Sequence, residues 1–401
     1  MIIREEYFAK IDPFVCKPVI KIITGIRRSG KSSFMKMLID RFHESGVKKN
    51  DIVYISKELL EFEYIKDYSE LYKYVKSKLQ KNKNQKYILI DEVQEIKGWE
   101  KAVNSLLAEN AADIYLTGSN SRMMSSEFAT LLTGRYVVVS MYPLSFKEFL
   151  KFRNIGKNED IEGEFSLYLK FGGLPGIHYL KFDDEVVFQY INSIYNTILL
   201  KDIVKRHQIR DVELLEKITR FIFDNCSSIT TAKKISDFLK SQHIRIGVQT
   251  VQNYISYLQD AFLINRTGRY DIKGKKHLEL LDKFYFSDSG IRHSILKYKS
   301  EDIAKLLENI VYLELLRRGY EVSVGKLDSL EIDFIAEKTN EKLYIQVCYL
   351  LASKETEDRE FAPLEKIEDN YPKIVLTMDK IWGGGRNGII RKNIIDFLLE
   401  T

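Results

Sequence analysis

VIKIITGIRRSGKSSFMKML, residues 19 to 38, decides the fold. An apolar run ends at Thr24, Gly25 to Ser32 spells G-I-R-R-S-G-K-S, and Ser33 to Leu38 opens a helix. Strand, glycine loop and helix in this order form the setting in which such a pattern cradles phosphates. Gly25 and Gly30 allow conformations and close approaches that a Cβ would block, so the N–H groups of Ile26, Arg27, Arg28 and Ser29 can turn toward a polyphosphate. The helix N-terminus around Ser33 adds positive partial charge. Lys31 is placed to reach the β and γ phosphates, and the Ser32 hydroxyl to ligate Mg2+. Two arginines are unusual company for phosphates, and at least one is expected to point outward or toward another domain. An ordinary glycine turn before a helix is the competing reading, and the strand on its N-terminal side weighs against it.

Working outward, KYILIDEVQEI (residues 86 to 96) carries four apolar residues, Tyr87 to Ile90, and then Asp91 and Glu92. A buried strand that delivers two acids at its C-terminal end suits nucleotide hydrolysis: Asp91 to hold Mg2+, Glu92 to polarise the attacking water. Alone the pair is weak, because acids often follow strands; beside the phosphate loop it is strong. DIYLTGSN ends in Thr117-Gly118-Ser119-Asn120. Asn120 is the first choice to orient the water or meet the γ-phosphate, Ser119 the second, and a simple polar turn the alternative. DIVYIS (51 to 56) and YVVVSM (136 to 141) add two further apolar strands. Periodicity by itself gives an α/β sheet with alternating elements.

Bulk composition sets limits. A chain of 401 residues, 45% hydrophobic and 30% charged, is expected to be soluble and to fold as two to four domains. The absence of an apolar run of about 18 residues, the charged N-terminal stretch MIIREEYFAKIDPF and three cysteines without CxxC spacing lead us to expect a cytoplasmic protein without structural zinc. A net charge of +5 permits a nucleic-acid partner without demanding one. The Lys-rich stretch from Leu71 to Lys86 reads as a solvated helix and loop.

The additional strand and the Glu beside the Asp resemble the class that includes the AAA+ ATPases. GIRRSGKSS, LIDEVQEI, LTGSN, LLTGRY, YPLSFKEFL and FGGLPGI in this order are similar to a prokaryotic group of AAA-type ATPases whose C-terminal region has no settled function. The resemblance covers nearly the whole chain and implies a parallel sheet, ATP and Mg2+. It implies two more site residues. Arg135 would supply positive charge to the γ-phosphate, from its own subunit or a neighbour's, against the alternative of a strand-opening arginine on a solvated edge. Pro175, in a GLP resembling a helical-lid motif, would lie near the nucleotide base, against the alternative of a rigid turn.

Beyond residue 208 the pattern changes. EKITRFIFDN, ITTAKKISDFLK and TVQNYISYLQDAFLI read as helices, the last with Val251, Tyr254, Ile255 and Leu258 at i, i+3, i+4 and i+7. Strands from Phe262 to Tyr270 and His277 to Phe286 flank a basic turn. Three helices and a hairpin resemble a winged helix-turn-helix. Gln249, Gln252, Asn253 and Ser256 would face base edges, and Arg266, Arg269, Lys273, Lys275 and Lys276 phosphates of double-stranded DNA. A protein-docking surface is the rival reading. The helix, three strands, helix and strand that follow resemble the restriction-endonuclease fold. There Asp333 is retained, while Gln346 and Cys348 stand where a carboxylate and a lysine are wanted, so nuclease chemistry is expected to be absent and a protein-binding role to remain.

The expected organisation is an ATPase core (1–145), a helical lid (146–207), a winged helix (208–292) and an inactive nuclease-like domain (293–401). The whole would be an ATP-hydrolysing switch. A DNA-binding regulator with little turnover and an ATP-dependent nuclease are the alternatives.

Overall fold

The computed structural model describes residues 2–79, 84–124, 130–156, 159–380 and 385–400. The chain divides into two compact units, residues 1–143 with 260–262, and residues 144–259 with 263–401.

The first unit is a five-stranded parallel sheet in the order β2-β3-β4-β1-β5. Its strands are β1 (Ile20–Thr24), β2 (Ile52–Ser56), β3 (Tyr87–Asp91), β4 (Asp113–Gly118) and β5 (Tyr136–Ser140). Every residue of β1, β3 and β4 is buried, as continuous apolar strands covered on both faces must be. Helices α1 (Glu5–Ile11), α2 (Lys31–Glu44), α3 (Tyr68–Lys78) and α4 (Trp99–Ala108) belong to this unit. One face packs Phe34, Met35, Leu38 and Phe42 of α2 against Ile23, Leu89 and Tyr115. The other packs Leu71 and Val75 of α3 and Trp99, Val103 and Leu106 of α4 against Ile22, Ile88 and Ile90. Part of the Lys-rich stretch is α3, and residues 80–83 lie outside the described residues.

Register fixes the direction of the site. Thr24 pairs with Gly118 and Ser140, and Ser56 with Asp91, so the phosphate loop and the acids share the C-terminal edge of the sheet. That edge is where parallel sheets bind ligands.

The second unit begins with α5 (Phe146–Arg153), closed at its start by a Ser145–Glu148 capping box, then α6 (Ile161–Phe171) and α7 (Asp184–Thr197). Next come α8 (Val212–Asp224), β6 (Ile229–Thr230), α9 (Ala232–Ser241), α10 (Val248–Asp260), β7 (Ile264–Asp271) and β8 (Lys276–Phe286). The C-terminal run is α11 (Ser289–Leu296), α12 (Ile303–Arg317), β9 (Glu321–Leu327), β10 (Leu330–Lys338), β11 (Glu341–Val347), α13 (Lys354–Glu365), β12 (Lys373–Thr377), β13 (Ile390–Asn393) and α14 (Ile394–Leu399). The hairpin β7–β8 and the strands that follow share one eight-stranded sheet, ordered β13-β12-β11-β10-β9-β7-β8-β6. The join is parallel, Arg269 opposite Val324 and Asp271 opposite Lys326. The segments expected on either side of residue 292 therefore share a sheet. The GGLP turn is also held from far along the chain: the N–H of Gly173 donates to Asp288 at 2.7 Å, and a Cβ at Gly173 would overlap the carbonyl of Leu144. Among the described residues no helix is long and apolar enough to cross a membrane.

Candidate nucleotide site

The loop between β1 and α2 depends on its glycines. Gly25 has φ +150° and Gly30 φ +106°, and a Cβ on Gly25 would overlap the carbonyl oxygen of Met141. Arg28 also sits at positive φ, +67°, and its side chain is exposed. Arg27 is buried, with Nη1 3.8 Å from Glu58 Oε1. One arginine of the pair thus turns outward and the other inward.

Lys31 is buried, and its Nζ donates to the carbonyl oxygens of Gly25 at 2.9 Å and Ile26 at 3.0 Å. Those are neutral partners within its own loop, which a phosphate oxygen can replace with a stronger, charge-assisted bond. The Ser29 hydroxyl is buried with no hydrogen-bond partner and lies 3.3 Å from the Cβ position of Gly25. An orphaned hydroxyl in a glycine-turned loop, a lysine that donates to loop carbonyls and a helix N-terminus fit a polyphosphate. Ser33 is exposed on the first turn of α2.

Asp91 closes β3. It accepts from Thr117 Oγ1 at 2.5 Å and Ser56 Oγ at 3.4 Å. Burial raises its pKa, with hydrogen bonds from Thr117 and Ser32 opposing. The Ser32 hydroxyl is therefore next to the carboxylate with which it would share Mg2+, an oxygen-ligand pair suited to that hard cation.

Glu92 adopts φ +55°, a left-handed conformation costly for a non-glycine residue, and its N–H donates to Thr117 Oγ1 at 3.0 Å. Its carboxylate accepts from Ser119 Oγ at 2.8 Å and from Gln94 Nε2. Burial pushes its pKa up, but the charges of Lys31 and Arg27, together with the hydrogen bonds from Gln94 and Ser119, bring the net direction down. Glu92 is thus held ionised, facing the phosphate loop's cations.

The structure brings together the loop from Gly25 to Ser32, Asp91, Glu92 and the second-choice Ser119, and adds Thr117, Gln94 and Arg4, to which the sequence reading gave no role. Thr117 bridges the two acids, Ser119 and Gln94 orient Glu92, and Arg4 braces the loop from behind, donating to Ser29 O at 2.9 Å and Tyr142 O at 3.1 Å. The signal for Thr117 lay in LTGSN: as a strand-end hydroxyl one strand over from Asp91, it was better placed than the residues after it. Arg4 carried no local signal.

Two expectations change. The side chain of Asn120, the first choice, accepts from the N–H of Arg122 at 2.9 Å, closing a local turn, whereas Ser119, the second choice, is the one that lies against Glu92. Arg135 is exposed and precedes β5, and its carbonyl accepts from Ile20 N at 3.0 Å. Ile20 begins β1, so Arg135 lies at the opposite edge of the sheet from the phosphate loop, roughly 15 Å away along five strand residues. It cannot serve the site of its own subunit. Pro175 opens a 3-10 turn in the second unit.

Comparison with known proteins agrees with this geometry. The family model described as "AAA domain" matches residues 17–150, and a domain of unknown function (DUF8612) matches residues 162–302. A solved structure, the Walker-type ATPase PABY2304 of Pyrococcus abyssi, is similar at 15% identity and TM-score 0.49, over 73% of this chain and 95% of that one. An uncharacterized protein of Methanocaldococcus jannaschii is 31% identical over 86% of this chain and 78% of its own length. An uncharacterized protein of Haemophilus influenzae is 37% identical over 100% of this chain and 99% of its own. The chain carries an AAA domain over residues 17–150, and it belongs to the family of the Haemophilus influenzae and Methanocaldococcus jannaschii proteins.

Proposed function

We propose that the protein binds and hydrolyses ATP in the first unit and passes the nucleotide state to the second as a molecular switch. The observation that carries this is Glu92: a buried carboxylate, ionised under Lys31 and Arg27 and oriented by Ser119 and Gln94, at the tip of the strand beside the phosphate loop. Lys31 and the loop N–H groups bind the phosphates. Ser32 and Asp91 would hold Mg2+, which supplies charge neutralisation on the phosphate oxygens. Glu92 orients a water for in-line attack and takes its proton, and Thr117 keeps the two acids in register. Glu92→Gln should leave saturable ATP affinity intact and lower the rate of phosphate release by about 100-fold or more. Unchanged turnover in that variant would sink the assignment, and no saturable ATP affinity in the parent chain would sink the reading as a whole.

The second unit supports the finer reading. On α10, Val251, Tyr254, Ile255 and Leu258 are buried while Gln249, Gln252, Asn253 and Ser256 are exposed, as expected of a recognition helix with a wing in β7–β8. Two of the basic side chains of that hairpin are paired within the chain, Arg266 with Asp282 at 2.7 Å and Lys273 with Asp328 at 3.3 Å. This leaves less free positive charge for double-stranded DNA and favours a protein-docking role. The αβββαβ order from α12 to β12 supports a nuclease-like scaffold, with chemistry lost at Gln346 and Cys348. Pro175 near the base, and Arg135 reaching a neighbouring subunit's nucleotide, complete the proposal. Gel shifts at low salt with and without ATP test the DNA arm.

A further inference from the structure

Lys283, on β8, is 2% exposed. Its Nζ lies 2.9 Å from Oε1 of Glu308 on α12, and 2.8 Å from Oε1 of Glu331 and 3.5 Å from Oδ1 of Asp333, both on β10. Two of these acids accept further hydrogen bonds. Tyr285 OH donates to Glu308 at 2.8 Å, and the N–H of Val347 donates to Asp333 Oδ2 at 2.9 Å. Gln346 spans to the next acid, donating to Glu360 at 3.1 Å and accepting from Asp333 N at 3.3 Å. One cation from the hairpin thus sits among three carboxylates drawn from a helix and a strand more distant in the chain.

The electrostatics follow from the geometry. Burial pushes Glu308 up to about 8, with the Asp333 charge adding and Lys283 opposing. Burial raises Asp333 too, again against Lys283. For Lys283 burial acts downward, yet Glu308, Asp333 and Glu331 hold it well above the usual lysine range. Without a cation, buried Asp333 and largely buried Glu308, with the partly exposed Glu331 beside them, would be strongly destabilising. The spacing suits an ammonium rather than a metal. Oxygens lie 2.8–3.5 Å from Nζ, whereas calcium would draw them to about 2.3–2.6 Å. Consistently, among the described residues no group of three or more His, Cys, Asp or Glu is arranged to hold a metal directly.

We propose that the Lys283 ammonium is the resident cation of a carboxylate site that would otherwise take a hard divalent ion. The lysine fills this site permanently, so the site itself takes no metal, and it pins the hairpin strand β8 to α12 and β10. The inference uses only these side chains and stands whether or not the first unit hydrolyses ATP.

The test uses the full chain without nucleotide, with Mn2+ stoichiometry read by electron paramagnetic resonance and the melting temperature read with and without Mn2+. The parent chain and Asp333→Asn should bind equal numbers of Mn2+. Lys283→Ala should bind one more, and Mn2+ should raise its melting temperature; adding Asp333→Asn should remove both gains. If Lys283→Ala does not fold, Lys283→Met with Glu331→Gln, which carries one acid fewer, should show the same Mn2+ dependence. A folded Lys283 variant with the parent stoichiometry and a metal-indifferent melting temperature overturns the proposal, as does a Mn2+ site in the parent chain that Asp333→Asn abolishes.

Discussion

Two of the molecule's buried lysines, Lys31 and Lys283, both lie near carboxylates but differ in the contacts their ammonium groups make. Lys31 donates to two loop carbonyls, and Asp91 and Glu92 are occupied by hydroxyls and an amide. Lys283 donates to the acids themselves. Neutral partners are easily exchanged for a charged ligand, whereas charged partners at low exposure are not. A lysine poised for a ligand and a lysine used as a structural counter-ion can thus be told apart by their partners, although both are buried.

Substituting each lysine tests that distinction. Lys31→Ala should remove saturable ATP affinity in a fluorescent-nucleotide titration and leave thermal stability nearly unchanged. Lys283→Ala should do the reverse, costing about 3–5 kcal/mol in denaturant unfolding while ATP affinity stays within a factor of two or three. If Lys283→Ala abolished ATP binding while folded, the contrast would collapse.

A weaker probe is pH. Burial pushes His178 and His293 down to about 4, helped in His178 by Arg153 and resisted in His293 by its bond to the carbonyl of Lys170. A depressed imidazole contributes stability that is complete above its unfolded value near 6.5 and lost as the pH falls through 4. The second unit should therefore weaken between pH 6.5 and 4, by on the order of 2 kcal/mol for each imidazole. Melting curves of His178→Phe, whose ring suits the cluster of Phe149, Phe152 and Phe182, should be flatter over that interval. The smallest effect belongs to Asn120→Ala. Since among the described residues that side chain closes a turn, turnover should fall by no more than about threefold; a loss of a hundredfold would return Asn120 to the catalytic centre.

How much of each site could be read in the sequence follows from how it is assembled. The phosphate loop is contiguous, and its glycines are required by backbone geometry at Gly25 and Gly30, so the pattern carries its own meaning. Asp91 and Glu92 were legible because an apolar strand ends at them. For Arg135 the own-subunit and neighbour alternatives could not be separated, because a Gly-Arg before a strand says nothing about which edge of a sheet it occupies; only the parallel register with Ile20 does. Placing Asn120 ahead of Ser119 had no geometric basis in the sequence, since adjacent polar residues after a strand differ only in which way each turns. The Lys283 cluster lay beyond reach. Fifty residues separate Lys283 from Asp333, and strand alternation assigns a face without naming the neighbour. The helical and strand segments of the second unit were read from periodicity, but their fusion into one sheet depends on the pairing of β7 with β9, which neither strand announces.

That pairing limits how motion can travel. Ile272 N donates to Lys326 O at 2.9 Å just past the paired residues, so the hairpin is spliced edge to edge into the C-terminal strands. A wing that flaps on a hinge would have to tear that seam, breaking backbone bonds. Any displacement delivered to the hairpin must instead carry the adjoining strands along as a single plank, and whatever docks on either end will feel the other end tilt.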